Sequence, residues 1–286
     1  MTSAPRRVLV TGAAGRLGRA VLDLLAARRV PATALDLRDP GDLPADRVVV
    51  GGAGDPVAVR AALADVDAVV HCAALAAPMM GSPEEVFAGN ARATFVTLEE
   101  SARAGVRRAA IASSIAVLGL SFAPRPLSPA YLPVDEAVPA QVADPYALSK
   151  QADEATAAMM SRRYGMTVVA LRFPLLGGPR DTLPEIAARY VDDPGFGAAH
   201  LWGYLDTRDA ASVVWLAVTR PITGCHVLFV AAPDTLAPQP TGELLDRFYP
   251  GVPRRLPLPG RAAPIDVGAA ARVLGFTAEH RYPLDS

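Results

Sequence analysis

Unbroken apolar runs alternate with longer alanine-rich stretches through the first two thirds of the chain. Such runs are typical of strands buried on both faces of a parallel sheet, and the longer stretches are typical of the helices that cover it. We therefore expect an α/β fold with a doubly wound parallel sheet. The pattern predicts strands at 7–11, 32–37, 48–50, 68–72, 109–113 and 167–173. It predicts helices at 16–28, 56–64, 83–104 and 146–164.

After residue 173 the alternation loosens, and the pattern indicates short elements such as a helix at 209–219 and a strand at 226–230. These elements predict a smaller second unit beside the sheet. We expect a first domain at 1–173 and a smaller C-terminal lobe at 174–286, with some mixing of the two along the chain.

Two segments lack a clear pattern. The proline-rich segment 119–144 is too long for a simple connection, which makes it a candidate active-site flap. The segment 177–204 carries aromatic side chains that fit a pocket wall or core packing equally well, namely Phe196, His200, Trp202 and Tyr204.

Composition and charge exclude several classes of function. The chain is 51% hydrophobic and 20% charged with a formal net charge of −1, as is typical of a globular protein. Its arginines are dispersed, so we expect no nucleic-acid partner. Without a signal-peptide pattern or a membrane-length apolar segment, we expect a soluble cytoplasmic protein with no membrane partner. Cys72 and Cys225 are expected to be free thiols, and the four histidines show no metal-ligand spacing.

A glycine-rich turn follows the first strand. Gly12, Gly15 and Gly18 form a G-x-x-G-x-x-G pattern that opens a helix. Small residues there let the backbone approach a pyrophosphate, which then lies at the positive N-terminus of that helix. The pattern predicts a Rossmann-type dinucleotide-binding domain at 1–173, which leaves substrate binding to the lobe at 174–286.

The end of the second strand bears on the choice of cofactor. Asp36 stands 18 residues after Gly18, where a carboxylate would accept hydrogen bonds from the adenosine ribose. The same carboxylate would repel a 2′-phosphate, so NAD is favoured over NADP. Arg16 and Arg38 lie close enough in sequence to leave NADP open.

Lys150 is the only lysine in the chain, and Tyr146 stands four residues before it. Residues four apart lie on one face of a helix. A nearby cation favours the ionised form of a phenol, so Tyr146 could accept or donate a proton during a reaction. The alternative interpretation is a solvated pair on a helix surface.

Taken in order, these motifs resemble the extended short-chain dehydrogenase/reductases, the NAD-dependent epimerase/dehydratase family. The resemblance covers most of the chain through the segments 12–18, 70–74, Asn90, 112–119, 146–150, 171–174 and 204–209. It implies an enzyme that transfers hydride between a nicotinamide and an alcohol or carbonyl carbon of a small or sugar-like substrate. It also implies a homodimer formed through the helices at 83–104 and 146–164.

The resemblance further implies roles for individual residues. Tyr146 would be the general acid/base, and Lys150 would bind the nicotinamide ribose. Ser114 would donate a hydrogen bond to the reacting oxygen, with Ser113 as the alternative. Asn90 fits an ordinary polar helix position equally well. The residues expected to contact the dinucleotide are Gly12, Ala14, Gly15, Arg16, Leu17, Gly18, Asp36, Leu37, Ala73, Ala74, Asn90, Tyr146, Lys150 and Pro174.

Several departures from the family pattern concern the substrate. Leu118 precedes Gly119 where a tyrosine is common, and Leu175 stands where nucleotide-sugar epimerases usually place an asparagine. The C-terminal lobe also lacks an evident pair of arginines for a diphosphate. We therefore expect an NAD(P)-dependent oxidoreductase whose substrate is smaller than a nucleotide sugar. A nucleotide-sugar epimerase or dehydratase that recycles its hydride is the alternative. A non-catalytic dinucleotide sensor is the third alternative, and the presence of Lys150 argues against it.

Overall fold

A seven-stranded parallel sheet lies at the centre of the computed structural model, which describes residues 5–178 and 180–284. The strands of the described chain are β1 (Val8–Thr11), β2 (Ala32–Asp36), β3 (Arg47–Val50), β4 (Ala68–His71), β5 (Arg108–Ser114), β6 (Thr167–Phe173), β7 (Leu175–Gly177), β8 (Tyr204–Asp206) and β9 (Cys225–Phe229). The main sheet has the order β3-β2-β1-β4-β5-β6-β9, and β7 and β8 pair separately. Because the order reverses between β1 and β4, a crevice opens at the carboxyl ends of these two strands.

Six helices cover the main sheet in the described chain: α1 (Arg16–Ala27), α6 (Thr207–Thr219) and α8 (Gly268–Leu274) on one face, and α2 (Pro56–Ala62), α3 (Pro83–Arg103) and α4 (Pro145–Tyr164) on the other. Two more, α5 (Thr182–Asp192) and α7 (Thr241–Phe248), belong to a second core. On β1, Val8 and Val10 pack with α1 and α6, whereas Leu9 packs on the opposite face with α2, α3 and α4. This burial on both faces explains the unbroken apolar strands, and the predicted doubly wound α/β fold is confirmed.

The main sheet takes its last strand from the part of the chain after residue 173. β9 pairs in parallel with β6, and α6 packs on the same face as α1. The elements expected at 209–219 and 226–230 therefore complete the sheet layer and do not form a separate lobe. Without β9, the edge of β6 would be left unpaired.

A second apolar core lies beneath the carboxyl ends of the strands. It contains Trp202 and Tyr204 from the segment of uncertain role, together with Leu132 and Val134 from the expected flap. The amides of Leu132 and Val134 donate to the carbonyls of Pro253 (2.9 Å) and Pro264 (3.0 Å). The expected flap is thus anchored along its middle, and only its first residues reach the site.

Within the described residues, no helix combines the length and the apolar character needed to cross a membrane.

Candidate functional site

The glycine turn between β1 and α1 packs so closely that side chains are excluded. Gly12 has φ +65°, and a Cβ atom there would lie 2.6 Å from the amide nitrogen of Ala73. A Cβ atom on Gly18 would lie 2.2 Å from the carbonyl oxygen of Gly12. The absence of side chains at these two positions lets the turn lie beside the end of β4, and the first residues of α1 line the crevice. Such a turn fits a pyrophosphate group.

Asp36 lies at the carboxyl end of β2 and helps to hold this turn. One of its carboxylate oxygens accepts a hydrogen bond from the amide of Ala14 at 2.9 Å. That bond leaves the other oxygen for a ribose hydroxyl. Leu37, the next residue, is 78% exposed. The position fits the role expected for Asp36 at the adenosine end of a dinucleotide.

Arg16 points away from Asp36. Its guanidinium donates to the carbonyl of Leu176 at 3.0 Å and to Oγ1 of Thr182 at 2.6 Å. It also lies 3.7 Å from the carboxylate of Asp181. Arg16 therefore connects the glycine turn to β7 and α5, which makes it a poor partner for a 2′-phosphate beside Asp36.

The two candidate serines at the end of β5 face different partners. The hydroxyl of Ser113 donates to Glu154 at 2.6 Å, and Glu154 is itself bound by the guanidinium of Arg172. The hydroxyl of Ser114 accepts from the amide of Ala116 at 3.1 Å, so its own hydrogen is free to be donated. Both residues line the cleft, but the geometry favours Ser114 as the hydrogen-bond donor.

Tyr146 and Lys150 lie together on α4, as their spacing predicts. The Lys150 ammonium lies 5.8 Å from the centroid of the Tyr146 ring, and both side chains are buried. It donates to the carbonyl of Ala112 at 2.8 Å and to the carboxylate of Asp153 at 3.1 Å. An ammonium has three N–H donors, so one remains for a bound ligand.

Asp153 is a site residue that the sequence reasoning missed. Burial alone would lower the pKa of Lys150, but the negative charge of Asp153 raises this pKa above its usual value. Burial also raises the pKa of Asp153, more than the nearby ammonium lowers it. Asp153 follows Lys150 by three residues on one helix face, so the spacing could have identified it.

A buried polar network lies behind this pair. His71 is hydrogen-bonded through Nδ1 to Thr11 at 2.7 Å and through Nε2 to Thr94 at 3.0 Å. Burial and the charge of Lys150 lower the pKa of His71 to about 3, so the ring is neutral. Burial raises the pKa of the neighbouring free thiol Cys72 to about 12. Neither side chain is prepared to act as a base or a nucleophile.

Asn90 is held entirely by protein groups. Its amide nitrogen donates to the carbonyl of Leu75 at 3.0 Å and to the hydroxyl of Ser149 at 3.1 Å, while its oxygen accepts from the amide of Leu75 at 2.8 Å. Both amide hydrogens are thus used. This geometry favours the ordinary helix position, where Asn90 braces the turn after β4, and its contact with a dinucleotide stays a prediction.

The crevice continues into a cleft of about 590 Å³. Of the predicted site residues, those that line it are Gly12, Gly15, Arg16, Leu17, Gly18, Ala74, Ser114, Tyr146, Lys150 and Pro174. Those that do not line it are Ala14, Asp36, Leu37, Ala73 and Asn90. The cleft also contains Phe122, which comes from the start of the expected flap and was not predicted. Within 5–178 and 180–284, no group of three or more His, Cys, Asp and Glu side chains could hold a metal ion.

Comparison with known proteins identifies the family of the chain. The model of the NAD-dependent epimerase/dehydratase family matches residues 8–228. A 3-diazoavenalumate denitrifying reductase from a Streptomyces species is 31% identical over 290 residues, covering 96% of this chain and 89% of the relative. A UDP-glucose 4-epimerase from Azospirillum brasilense is 30% identical over 185 residues, which cover 60% of this chain and 49% of the relative. The fold also matches a short-chain dehydrogenase/reductase superfamily protein from Agrobacterium tumefaciens that was solved with bound NAD. The TM-score is 0.71 at 26% identity, and the match covers 96% of this chain and 93% of the solved chain.

The first prediction concerns the choice between NAD and NADP. The Asp36→Asn substitution keeps an oxygen for the amide of Ala14 and removes the charge that repels a 2′-phosphate. We expect the NAD-to-NADP ratio of binding affinities to fall by about tenfold, as for a loss of roughly 1.4 kcal/mol of discrimination. Calorimetric titration with each cofactor measures it. Asp39→Asn, at an exposed carboxylate nearby, is the matched control, and an unchanged ratio in Asp36→Asn would contradict the prediction.

The second prediction concerns the buried ion pair. Asp153→Asn leaves the ammonium of Lys150 buried without its counter-charge, so we expect the free energy of unfolding at pH 7 to fall by about 3 kcal/mol. Because Asp153 raises the pKa of Lys150, the stabilisation from the ion pair is complete below the ordinary lysine pKa of about 10.4 and is lost as the pH rises through the higher pKa of the folded protein. Urea unfolding across this range should show the two proteins converging at alkaline pH. Asp192→Asn, at an exposed carboxylate, should behave as the parent, and a constant deficit at every pH would refute the account.

Proposed function

We propose, since the chain belongs to the NAD-dependent epimerase/dehydratase family, that it is an NAD-dependent oxidoreductase acting on a small substrate. It would transfer hydride between the nicotinamide and an alcohol or carbonyl carbon. The observation that carries the proposal is the placement of Ser114, Tyr146 and Lys150 around one cleft that is otherwise largely apolar on its substrate side.

Each of these side chains has a task that its contacts allow. NAD, when bound, supplies the acceptor or donor of hydride. Tyr146 takes the hydroxyl proton of an alcohol, or returns a proton to a carbonyl oxygen. Ser114 donates a hydrogen bond to the same oxygen and stabilises its developing negative charge. The free N–H of Lys150 binds the ribose, and its ammonium lies 5.8 Å from the centroid of the Tyr146 ring.

The cleft supports a substrate smaller than a nucleotide sugar. Among the described residues that line it, the basic side chains besides His200 are Arg16 and Lys150. Both donate to protein groups, namely Leu176 and Thr182 for Arg16, and Ala112 and Asp153 for Lys150. Leu175 lines the cleft and offers no side-chain hydrogen bond. A sugar diphosphate would therefore lack the counter-charges that its burial requires.

A sugar epimerase or dehydratase is the second candidate. The same three side chains would serve when hydride leaves and returns within one turnover. The match of a UDP-glucose 4-epimerase over 185 residues favours it. This candidate requires saturable binding of a nucleotide sugar with no net reduction of NAD.

The cytoplasmic location of the protein stays a prediction.

We also propose a homodimer formed through α3 and α4. These helices pack against each other and expose large apolar side chains, among them Phe95 at 44% and Leu148 at 43%. In a dimer these side chains would be removed from water, with a gain of about 25 cal/mol per Å² buried.

The third prediction tests that assembly. Sedimentation analysis should give the mass of two chains for the parent protein. We expect Phe95→Asp to sediment as a single folded chain, because a carboxylate buried at the interface would cost several kcal/mol. Leu256→Asp, which places the same charge at another exposed apolar position, should remain a dimer. A parent protein that sediments as one chain would refute the assembly.

The fourth prediction tests the chemistry. Tyr146→Phe removes only the proton-carrying hydroxyl, so we expect kcat to fall at least about 100-fold while NAD still binds. Tyr164→Phe removes a hydroxyl at the far end of the same helix, where it donates to Glu99 at 2.7 Å. That control should keep its activity. Full activity in Tyr146→Phe, measured as reduced-nicotinamide absorbance with an alcohol substrate, would exclude the proposed role.

A further inference from the structure

The substrate end of the cleft is lined by apolar and aromatic side chains. They come from three separate parts of the chain: the turn after β5, the strand β7, and the segment from α5 to the following 3₁₀ helix. The apolar and aromatic side chains of this wall are Phe122, Leu175, Ile186, Tyr190 and Phe196. Such a wall favours a flat apolar molecule, because aromatic side chains gain stabilisation from both burial and ring contacts.

One aromatic ring connects the reacting group to the far wall. Phe122 makes an edge-to-face contact with Tyr146, with ring centroids 5.9 Å apart and planes at 82°. It makes a similar contact with His200, at 6.0 Å and 79°. Tyr146, Phe122 and His200 therefore follow one another along the cleft, with the proton-carrying phenol at one end and an imidazole at the other.

His200 provides a polar group in this otherwise apolar wall. Burial lowers its pKa, so the ring is neutral at physiological pH. Across the described part of the chain, neither of its ring nitrogens has a hydrogen-bond partner, whereas His71 and His280 both do. Because the half-buried ring lines the cleft, its donor and its acceptor are both available to a polar group of a ligand.

Charged substrates are disfavoured at the same place. Arg189, the guanidinium nearest in sequence to this wall, stacks 3.3 Å from the ring centroid of Phe196 and does not line the cleft. A carboxylate or phosphate bound beside Phe122 would be buried without a counter-charge, which disfavours its binding.

We propose that the substrate is an uncharged aryl alcohol, or its carbonyl counterpart, whose ring packs against Phe122 and whose second polar group is hydrogen-bonded by His200. The inference rests on the proposed function. In the oxidation, the carbinol C–H bond breaks and its electron pair passes with the hydrogen to NAD⁺. The hydroxyl proton passes to Tyr146, and the C=O bond forms. The reverse direction uses the same groups.

The fifth prediction compares four probes in steady-state assays of NAD reduction: benzyl alcohol, para-hydroxybenzyl alcohol, mandelate and UDP-glucose. We expect kcat/KM to be about tenfold higher for the para-hydroxy compound than for benzyl alcohol, because one hydrogen bond to His200 is gained. Mandelate, an anionic aryl alcohol, should be at least about 100-fold poorer than benzyl alcohol. UDP-glucose should neither react nor compete.

Variants assign the effect to the named side chains. His200→Leu should abolish the advantage of the para-hydroxyl group, and His200→Gln, which keeps a donor and an acceptor, should restore part of it. His226→Leu, at a half-buried histidine of β9 that is bonded to the carbonyl of Thr223 and does not line the cleft, is the control and should leave the ratio unchanged. Phe122→Ala should raise KM about tenfold for both alcohols through lost ring contact.

The outcomes separate the two proposals. Turnover of UDP-glucose or mandelate in preference to both aryl alcohols would overturn the aryl assignment while leaving hydride transfer intact. Equal kcat/KM for the two alcohols, or an advantage that survives in His200→Leu, would overturn the role of His200. If NAD binds but no probe is oxidised and no carbonyl counterpart is reduced, the oxidoreductase itself is refuted, and the substrate class with it.

Discussion

The buried ammonium group of Lys150 is the constraint on which the rest of this structure depends. A cation removed from water must be compensated, and here the carbonyl of Ala112 on β5 and the carboxylate of Asp153 on α4 compensate it. The ion pair lies within α4, whereas the hydrogen bond to Ala112 joins α4 to β5, so a shift of α4 along β5 would break that hydrogen bond inside the core. Because Tyr146 lies on the same helix face, the same hydrogen bond fixes the position of the phenol relative to the sheet.

A buried network of neutral, hydrogen-bonded side chains lies behind this ion pair. His71 joins the hydroxyls of Thr11 and Thr94, all three side chains being buried, and its pKa of about 3 keeps the ring neutral. The network therefore joins β1, β4 and α3 behind Lys150. In the proposed mechanism, the groups that contact the substrate are those that line the cleft, Ser114 and Tyr146 among them.

How far the sequence could predict this site follows from how local each feature is. The glycine turn and the pair of Tyr146 and Lys150 depend on spacing within one turn of chain, and the structure places them as expected. Arg16 could not be assigned, because its partner Thr182 lies 166 positions away. The aromatic segment at 177–204 divides between wall and core because the backbone turns left-handed at Leu201 and Trp202, with φ of 52° and 51°, a turn that residue types alone do not indicate.

The same distinction explains why cofactor and substrate can be specified separately in this fold. The cofactor end is built by backbone: Gly12 and Gly18 are fixed by contacts that leave no room for a Cβ atom, so substitutions there disturb the turn itself. The substrate end is built by side chains such as Phe122, Leu175 and His200, which come from different segments and can be exchanged without moving the sheet. The family match therefore identifies the dinucleotide chemistry, whereas in the proposed function the substrate is selected by the few side chains that face Tyr146.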